Sequence, residues 1–399
     1  MESIEEILSE TKFPEKNIFS PFDCSGYETI DEFLLNGVQY RVFNSGLLND
    51  EIWDDFVYSV NESCPQQFSG WAEVKRFEGW DHQRVIYVCE DRIVAGYQIL
   101  IKKLPFIGKV GYLNHAPLIS STNNQFIEKF ISHLNQIIKK NKFLLVIINP
   151  SVSTNEILHQ LNIKYHKNIF FGLINAEAEL DITAEESVLL KNMLRMRRQN
   201  LKKADNYIYK IMEGDRSDLE VFFNLMDETC KRNNVKPNPS SFELLVKIWE
   251  CFSKRKLINL YKFYIEDELV TAILAFEYQD RFIPWKFGWS GKYPSLKPND
   301  VFHWELIKIA KKKGFKKYNM GGINFSTANK LKYSQNNLTP EELKSSTFFK
   351  MGFGCYIRKL PDSLIYIPNP ILSGLYRLLL CFHSLKEKYF LRKPLEKKS

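Results

Sequence analysis

The chain has 399 residues, which is more than one hydrophobic core usually supports, so we expect two domains. Hydrophobic residues make up 44% of the chain and aromatic residues 14%, which excludes a disordered protein and is enough to fill large cores. The formal charge of +8 is spread unevenly, since residues 1–37 are acidic whereas residues 191–210 and 386–398 are basic. Basic segments bind nucleic acid, nucleotide phosphates or anionic lipid, but many are simply solvated, so charge alone assigns no function.

The cysteines and the N-terminal residues indicate where such a protein is found. The seven cysteines are scattered and none forms a C-x-x-C pair, which predicts reduced thiols rather than disulfides or structural zinc. Residues 1–15 are acidic and lack the apolar stretch of a signal peptide. No apolar run reaches the ~18 residues that span a bilayer. We therefore expect a cytoplasmic protein, with peripheral contact at the inner face of the membrane left open.

From residue 38 the chain alternates between predicted helices and strands, and it does so twice. Residues 38–165 carry helix patterns at 48–61, 69–77 and 124–140 and strand patterns at 39–43, 84–89, 93–102, 110–113 and 143–149. Residues 166–358 carry helix patterns at 184–206, 217–232, 240–252 and 299–313 and strand patterns at 170–174, 257–265, 268–278, 281–290, 317–320 and 353–358. The shared order predicts an α/β protein with two similarly built domains and mixed, largely antiparallel sheets.

The two ends of the chain lie outside these predicted domains. Residues 1–37 are predicted to be an N-terminal extension with one short acidic helix. Residues 359–399 form a tail that combines apolar residues at helical spacing with lysines and arginines. A basic amphipathic segment of this kind lies on an anionic membrane or packs against the first domain, and the sequence leaves both interpretations open.

Most motifs of enzyme catalysis are missing. We find no nucleophile elbow, no Walker lysine loop and no H-E-x-x-H motif. The seven histidines are isolated, so structural or surface roles are expected for them and no metal site is predicted. Residues 67–72 formally match the Q-x-x-G-x-A loop of acyl-CoA enzymes, but they precede the strands, and we interpret the match as chance. Residues 289–299 follow a strand without the glycine spacing of a phosphate loop, which disfavours coenzyme A without excluding it.

One stretch, Ser346 to Gly354 (S-T-F-F-K-M-G-F-G), places a single lysine between phenylalanines and glycines. Glycine permits the tight backbone that brings a main chain close to a ligand. Lys350 would then be one positive charge on an aromatic and glycine frame. Alone, the stretch is equally well interpreted as a turn with a solvated lysine.

Several stretches together resemble the FemABX-type aminoacyltransferases, which carry an amino acid from aminoacyl-tRNA to the peptide stem of a peptidoglycan precursor. In the first half the similar stretches are Gln67 to Lys75, Gly79-Trp80 and Tyr112 to Pro117. In the second half they are Arg198 to Ala204, Gly288 to Ser290, Tyr293 to Glu305, Tyr318 to Ile323 and Phe349 to Gly354. Each motif is weak alone, and it is their order along residues 40–358 that carries the resemblance.

The resemblance implies two GNAT-like (acyl-CoA N-acyltransferase-like) domains, with the chain returning to the first domain after the last glycine motif. It places Phe349 and Lys350 at the site of acyl transfer. It places Lys75, Tyr112 and Arg198 at the nucleotide or pyrophosphate end of the acceptor, where arginine offers a bidentate fork and lysine a point charge. The remaining predicted substrate-binding residues lie in the matching motifs: Trp289, Ser290, Gly321 and Gly322.

Two substitutions are among the departures of this sequence from the family pattern, which also include the missing coiled-coil arm after the basic helix, broken at Asp205-Asn206. His115-Ala116 replaces the usual Arg-Gly before a proline, and Asn319 replaces the usual acidic residue after Tyr318. Both changes lie on the acceptor side, so they leave the acceptor open.

Three functions follow as hypotheses. The first is transfer of an aminoacyl group from aminoacyl-tRNA, a co-substrate rather than a bound cofactor, to an amine of a peptidoglycan stem peptide or a related cell-surface glycan. The second is acyl-CoA-dependent N-acylation of a nucleotide-linked or lipid-linked amino sugar in surface-polysaccharide biosynthesis. The third is a non-enzymatic tandem domain that binds RNA or a membrane complex.

Overall fold

The computed structural model describes residues 22–120, 123–160, 165–169, 174–333 and 338–392, with the side chains of residues 159–160 and 383–392 left aside. The chain forms two compact units. Among the described residues, those within 22–169 and 361–392 form the first domain, and those within 174–360 form the second.

The first domain is built mainly from the N-terminal part of the chain. Its strands there are β1 (Glu28–Leu35), β2 (Val38–Ser45), β3 (Asp81–Cys89), β4 (Arg92–Leu104), β5 (Gly108–Asn114), β6 (Leu118–Ile119), β7 (Phe143–Asn149) and β8 (His166–Lys167). Its helices there are α1 (Glu51–Ser59), α2 (Ser69–Phe77), α3 (Asn124–Lys140) and α4 (Val152–Gln160).

The second domain follows in sequence. Its strands are β9 (Ala176–Asp181), β10 (Tyr209–Gly214), β11 (Ile258–Ile265), β12 (Glu268–Tyr278), β13 (Arg281–Trp289), β14 (Lys317–Gly322) and β15 (Tyr356–Lys359). Its helices are α5 (Glu186–Asn192), α6 (Arg195–Leu201), α7 (Leu219–Arg232), α8 (Phe242–Phe252), α9 (Pro298–Lys312), α10 (Phe325–Tyr333), α11 (Pro340–Leu343) and α12 (Ser346–Met351). The chain then returns to the first domain with β16 (Leu364–Tyr366) and α13 (Pro370–Arg392).

Each domain has one mixed, mostly antiparallel sheet. The first sheet runs β1-β2-β3-β4-β5-β7-β16-β8, with β6 beside β4, and the second runs β10-β11-β12-β13-β14-β9-β15. Among the described strands, the parallel neighbours are β5 with β7 and β13 with β14. A helix connects the strands of each pair, α3 in the first domain and α9 in the second, as a parallel connection requires.

The amphipathic helices formed where their apolar spacing predicted them. In α3 the rings of Phe126 and Phe130 and the side chain of Leu134 are fully buried on one stripe. The Asn123 side chain caps the helix by accepting the backbone N–H of Phe126. The predicted bounds of α2, α3, β7 and β12 are confirmed residue for residue.

The long basic helix predicted at residues 184–206 is wrong, because the chain breaks it into α5 and α6. At the break Met193 and Leu194 adopt extended backbone conformations (ψ 151° and 143°). The N–H of Leu194 leaves the helical hydrogen-bond pattern and donates to the carbonyl of Gly352 at 2.9 Å. This tertiary bond ties the start of α6 to the end of α12.

The ends of the predicted domains also differ from the structure. Within the predicted extension, Glu28–Leu35 pairs along its length with β2, so the first sheet begins there. Residues 170–173 of the strand predicted at 170–174 lie outside the described residues. In the tail, the ring of Tyr376 packs with Ile147 and Ile365 of the first domain, which is the packing that the sequence left open.

Candidate active site

The second domain's two central parallel strands diverge soon after they start. β13 and β14 pair only at Arg281 with Lys317 and at Phe282 with Tyr318. Just beyond, Pro284 has no N–H to donate, and the register of β13 with β12 shifts between Leu274 and Ala275. By contrast, β5 and β7 of the first domain stay paired from Lys109 to Asn114. The divergence leaves the carboxyl-terminal halves of β13 and β14 unpaired with each other.

Lys350 lies at the end of β14. It is carried on α12, whose start is capped by the Ser345 side chain accepting the N–H of Phe348. Its ammonium donates a hydrogen bond of 2.8 Å to the carbonyl of Gly322. Burial lowers the pKa of Lys350 below its ordinary value. The preceding Gly321 has a φ of +77°, a left-handed conformation that favours glycine.

The predicted residues Phe349, Lys350, Gly321 and Gly322 are therefore brought together by the fold. The stretch predicted as a turn is a short helix, and the glycine turn follows it at Gly354, where φ is +86°.

Phe349 belongs to a stack of rings that begins at the last paired position of β13 and β14. The rings of Phe282 and Tyr318 stack with their centroids 5.5 Å apart. The hydroxyl of Tyr318 and Nδ1 of His303 share a hydrogen bond of 2.8 Å. The His303 ring in turn lies 5.5 Å from the ring of Phe349. Phe349 is thus fixed in place by ring contacts on the core side.

Arg197 contacts Phe349 as well. The motif resemblance did not include Arg197 and pointed to Arg198 instead. The guanidinium of Arg197 lies 4.4 Å from the centre of the Phe349 ring, within cation–π range. It forms a buried ion pair of 2.6 Å with Asp300, which also accepts a hydrogen bond of 2.9 Å from Asn200. Arg198 instead donates to the backbone carbonyls of Lys191 and Met193.

His303 is held neutral by its surroundings. Burial, and then the positive charges of Lys350 and Arg197, lower the pKa of His303 to about 3. A neutral imidazole with so low a pKa is a weak base. We therefore interpret His303 as a structural residue that supports Tyr318 and Phe349. This agrees with the structural role expected for the histidines.

The low pKa of His303 predicts how the stability of the protein changes with pH. An unfolded histidine takes up a proton near pH 6.5, whereas the folded one does not until about pH 3, so its contribution to stability is complete above pH 6.5 and is lost as the pH falls. Between pH 7 and pH 5 this costs about 2 kcal/mol of the free energy of unfolding. Urea unfolding of wild type and His303→Asn at both pH values should show that much more loss in the wild type. Equal losses would contradict the buried neutral state.

Asn319, where the family pattern has an acid, has a structural explanation. Its Oδ1 accepts the N–H of Gly321 at 2.7 Å, and its Nδ2 donates to a carboxylate oxygen of Glu177 at 2.9 Å. A second buried carboxylate, Glu179, lies 3.5 Å from the same Nδ2. An amide can donate to these carboxylates, whereas an ionised acid could only accept and would repel them. Asn319 therefore fixes the backbone that leads to Gly322.

Trp289 and Ser290 lie at the end of β13, where they contact α7 and the loop that follows the strand. The N–H of Trp289 donates to the Thr229 hydroxyl on α7 at 2.8 Å, and the guanidinium of Arg232 lies 5.4 Å from the Trp289 ring centre. The Ser290 hydroxyl accepts the N–H of Lys292 at 3.3 Å. Their role in substrate binding stays a prediction.

Lys75 and Tyr112 belong to the first domain. Lys75, near the end of α2, forms an ion pair with Glu78 and lies 5.5 Å from the ring centre of Trp71. The Tyr112 hydroxyl accepts a hydrogen bond of 2.7 Å from Asn149, and burial raises the pKa of Tyr112 to about 12. Asn149 ends β7 directly opposite Asn114 of β5, so Tyr112 is held at the carboxyl ends of the parallel pair.

Gln67, the first residue of the apparent coenzyme A motif, is a buried link between strands. Its Nε2 donates to the carbonyl of Asn114 at 2.8 Å, and its Oε1 accepts the N–H of Gln98 at 3.0 Å. Both ends of the amide are thus used within the domain.

Comparison with known proteins assigns each domain. A model of the FemAB family matches residues 48–172 in the first domain, and a model of the acetyltransferase (GNAT) domain matches residues 190–331 in the second. Both matches support the similarity of the chain to the FemABX-type family. The resemblance inferred from the ordered motifs is thereby confirmed.

The crystal structure of FemX gives a TM-score of 0.69, with 16% identity over 83% of this chain and 99% of that one. A conserved protein of unknown function from Bacteroides thetaiotaomicron gives a TM-score of 0.51, with 11% identity over 78% of this chain and 93% of that one. At such low sequence identities, the similarity shows a shared fold only. The predicted α/β class, with two GNAT-like domains, is confirmed.

Two curated relatives are lipid II:glycine glycyltransferases. That of Staphylococcus epidermidis (strain RP62A) is 26% identical over 204 residues, covering 47% of this chain and 48% of the relative. That of Staphylococcus saprophyticus is 25% identical over 208 residues, covering 49% and 50%. The chain thus spans about half the length of the curated relatives it matches.

Proposed function

We propose that this FemABX-type chain transfers an aminoacyl group to an amine of a lipid-linked peptidoglycan precursor in the cytoplasm. One observation carries the proposal: the partly buried ammonium of Lys350, fixed on the Gly322 carbonyl where β13 and β14 have diverged. The names of the curated relatives support the class of acceptor. Aminoacyl-tRNA is the donor that we propose.

The proposed reaction requires the protein mainly to bind both substrates and to stabilise the charge that develops on the carbonyl oxygen. The acceptor amine attacks the carbonyl carbon of the aminoacyl ester, so a C–N bond forms and the C–O ester bond breaks. The amine loses a proton, and the departing ribose oxygen gains one. Between these events the carbonyl oxygen carries a negative charge, and a nearby donor in a partly desolvated site stabilises it. We assign that donor to Lys350, whose ammonium is held by the Gly322 carbonyl and whose helix is anchored through the ring of the preceding Phe349.

A second candidate is acyl-CoA-dependent N-acylation of a nucleotide-linked or lipid-linked amino sugar. The match of residues 190–331 to an acetyltransferase domain favours it. It uses the same Lys350 site and differs in the leaving group, a thiol instead of a ribose hydroxyl.

The donor is tested with the purified full chain and extracted lipid-linked peptidoglycan precursor. One reaction receives total tRNA charged with labelled amino acids, and the other receives labelled acetyl-CoA. We expect label in the precursor from the charged tRNA, and none after ribonuclease treatment of that donor. Label from acetyl-CoA alone would assign the second candidate instead.

A further inference from the structure

We propose that α13 carries a docking surface for an anionic lipid membrane. Six large apolar side chains of this helix are exposed: Ile371, Leu372, Leu375, Leu378, Leu379 and Phe382. Their spacing of three and four residues places them on one continuous face of a helix. Contiguous apolar surface of this kind is rare on a soluble monomer and marks an interaction site. We call these six residues the α13 apolar face.

A different side of the same helix attaches it to the first domain. The ring of Tyr376 is only 7% exposed, and its hydroxyl donates to the carbonyl of Lys167 at 2.9 Å. The Ser373 hydroxyl and Nε2 of His166 share a hydrogen bond of 2.8 Å. Ser373 and Tyr376 are not among the exposed positions. The domain therefore holds α13 without covering its apolar face, where Phe382 remains 68% exposed.

Charge identifies the occupant. Residues 370–399 contain seven lysines and arginines against two glutamates, a net charge of +5 out of the chain's +8. A surface of anionic lipid complements this charge, and each Lys or Arg near it contributes about 1 kcal/mol. A second copy of the same segment would bring two such charges together and be repelled. Apolar residues on one face combined with a basic sequence are typical of helices that lie in the membrane interface.

This binding mode does not require the helix to cross the bilayer. Among the residues that the structure describes, we find no helix whose length and apolar content would let it span a membrane. The α13 apolar face would enter the boundary between headgroups and acyl chains, with the first domain remaining outside.

The inference goes beyond the proposed function, since lipid binding requires neither donor nor acceptor. If the proposed function also holds, the surface would bring the chain to the membrane that carries a lipid-linked acceptor. Failure of vesicle binding would leave the transfer reaction untouched, and the reverse is equally true.

The test is co-sedimentation of the full chain with vesicles of phosphatidylcholine, with or without phosphatidylglycerol. We expect binding to the vesicles that contain phosphatidylglycerol, weakened by salt, and little binding to pure phosphatidylcholine. The variant L375E/L379E should lower the ratio of bound to free protein at least about tenfold, since two apolar anchors are lost. The matched control V188E/V221E changes two exposed aliphatic residues on helices of the second domain and should bind like the wild type.

Several outcomes would overturn the proposal: no binding to either vesicle, equal binding to both, or unchanged binding of L375E/L379E. Light scattering in the absence of lipid measures the oligomeric state. A dimer that is lost in L375E/L379E, together with no vesicle binding, would assign the α13 apolar face to a second copy of the chain. Circular dichroism and the melting temperature confirm that both double variants are folded.

Discussion

Replacement of Lys350 by methionine is expected to lower the rate of aminoacyl transfer about 10²- to 10³-fold, the usual cost of removing one donor to a developing oxyanion. Methionine keeps much of the apolar stem, so packing beside Phe349 is largely retained. The lost hydrogen bond to the Gly322 carbonyl should cost only about 1 kcal/mol of stability. The rate is measured as label entering the precursor under single-turnover conditions.

Lys330→Met is the matched control for this experiment. Lys330 lies on α10 of the same domain, and its ion pair with Glu342, 2.9 Å long, is partly exposed and contributes little to stability. We expect the control to transfer at the wild-type rate. A Lys350→Met protein that is folded and transfers as fast as the wild type would remove Lys350 from the chemistry.

The largest effect on stability is expected at Arg197. Arg197→Ala leaves the buried carboxylate of Asp300 without its cation, and breaking a buried ion pair in this way typically costs 3–5 kcal/mol. We expect about 3 kcal/mol, the low end, because Asn200 still donates to Asp300. The Phe349 ring also loses its cation, so transfer should slow in the fraction that remains folded. Urea unfolding gives the stability.

Two comparisons make the Arg197 experiment decisive. Arg197→Lys keeps the charge but loses the planar group over Phe349, so it should recover part of the stability without the full transfer rate. Arg198→Ala, one residue further along α6, should cost only about 1 kcal/mol, because it removes hydrogen bonds to backbone carbonyls and leaves no buried charge unpaired. Equal destabilisation by Arg197→Ala and Arg198→Ala would contradict the buried pair.

The different roles of Arg197 and Arg198 could not be predicted from the sequence alone. The sequence predicted a continuous basic helix over residues 184–206, in which neighbouring arginines cannot be ranked. The rank is set by the bond from Leu194 to Gly352, a contact between residues far apart in sequence, which restarts the helix at Arg195. In the restarted helix Arg197 is buried and Arg198 is half-buried. Only the tertiary structure contains that information.

Other parts of the fold were predictable because local pattern and tertiary environment agree. The fully apolar stripe of α3 and the buried strand Phe143–Asn149 have one consistent interpretation each. β1 was missed because its sequence, ETIDEFLL, is acidic and its strand is mostly exposed. Its place in the sheet comes from pairing with β2 rather than from burial of its own side chains.

The core of the candidate site was predictable from the ordered motifs, which placed Phe349 and Lys350 near the Gly321-Gly322 pair. The motifs do not explain why β13 and β14 separate beside these residues. That depends on Pro284 and the register shift in β13, which end its pairing with β14 after two residues. The roles of Lys75, Tyr112 and Arg198 toward an acceptor stay predictions.

The most direct test of the proposed function is the mass of the peptidoglycan precursor after incubation with the chain and charged tRNA. We expect a gain equal to one amino-acid residue, located by fragmentation on an amine of the stem peptide, and absent with Lys350→Met. A precursor of unchanged mass with every charged tRNA, in the presence of folded wild-type protein, would contradict it.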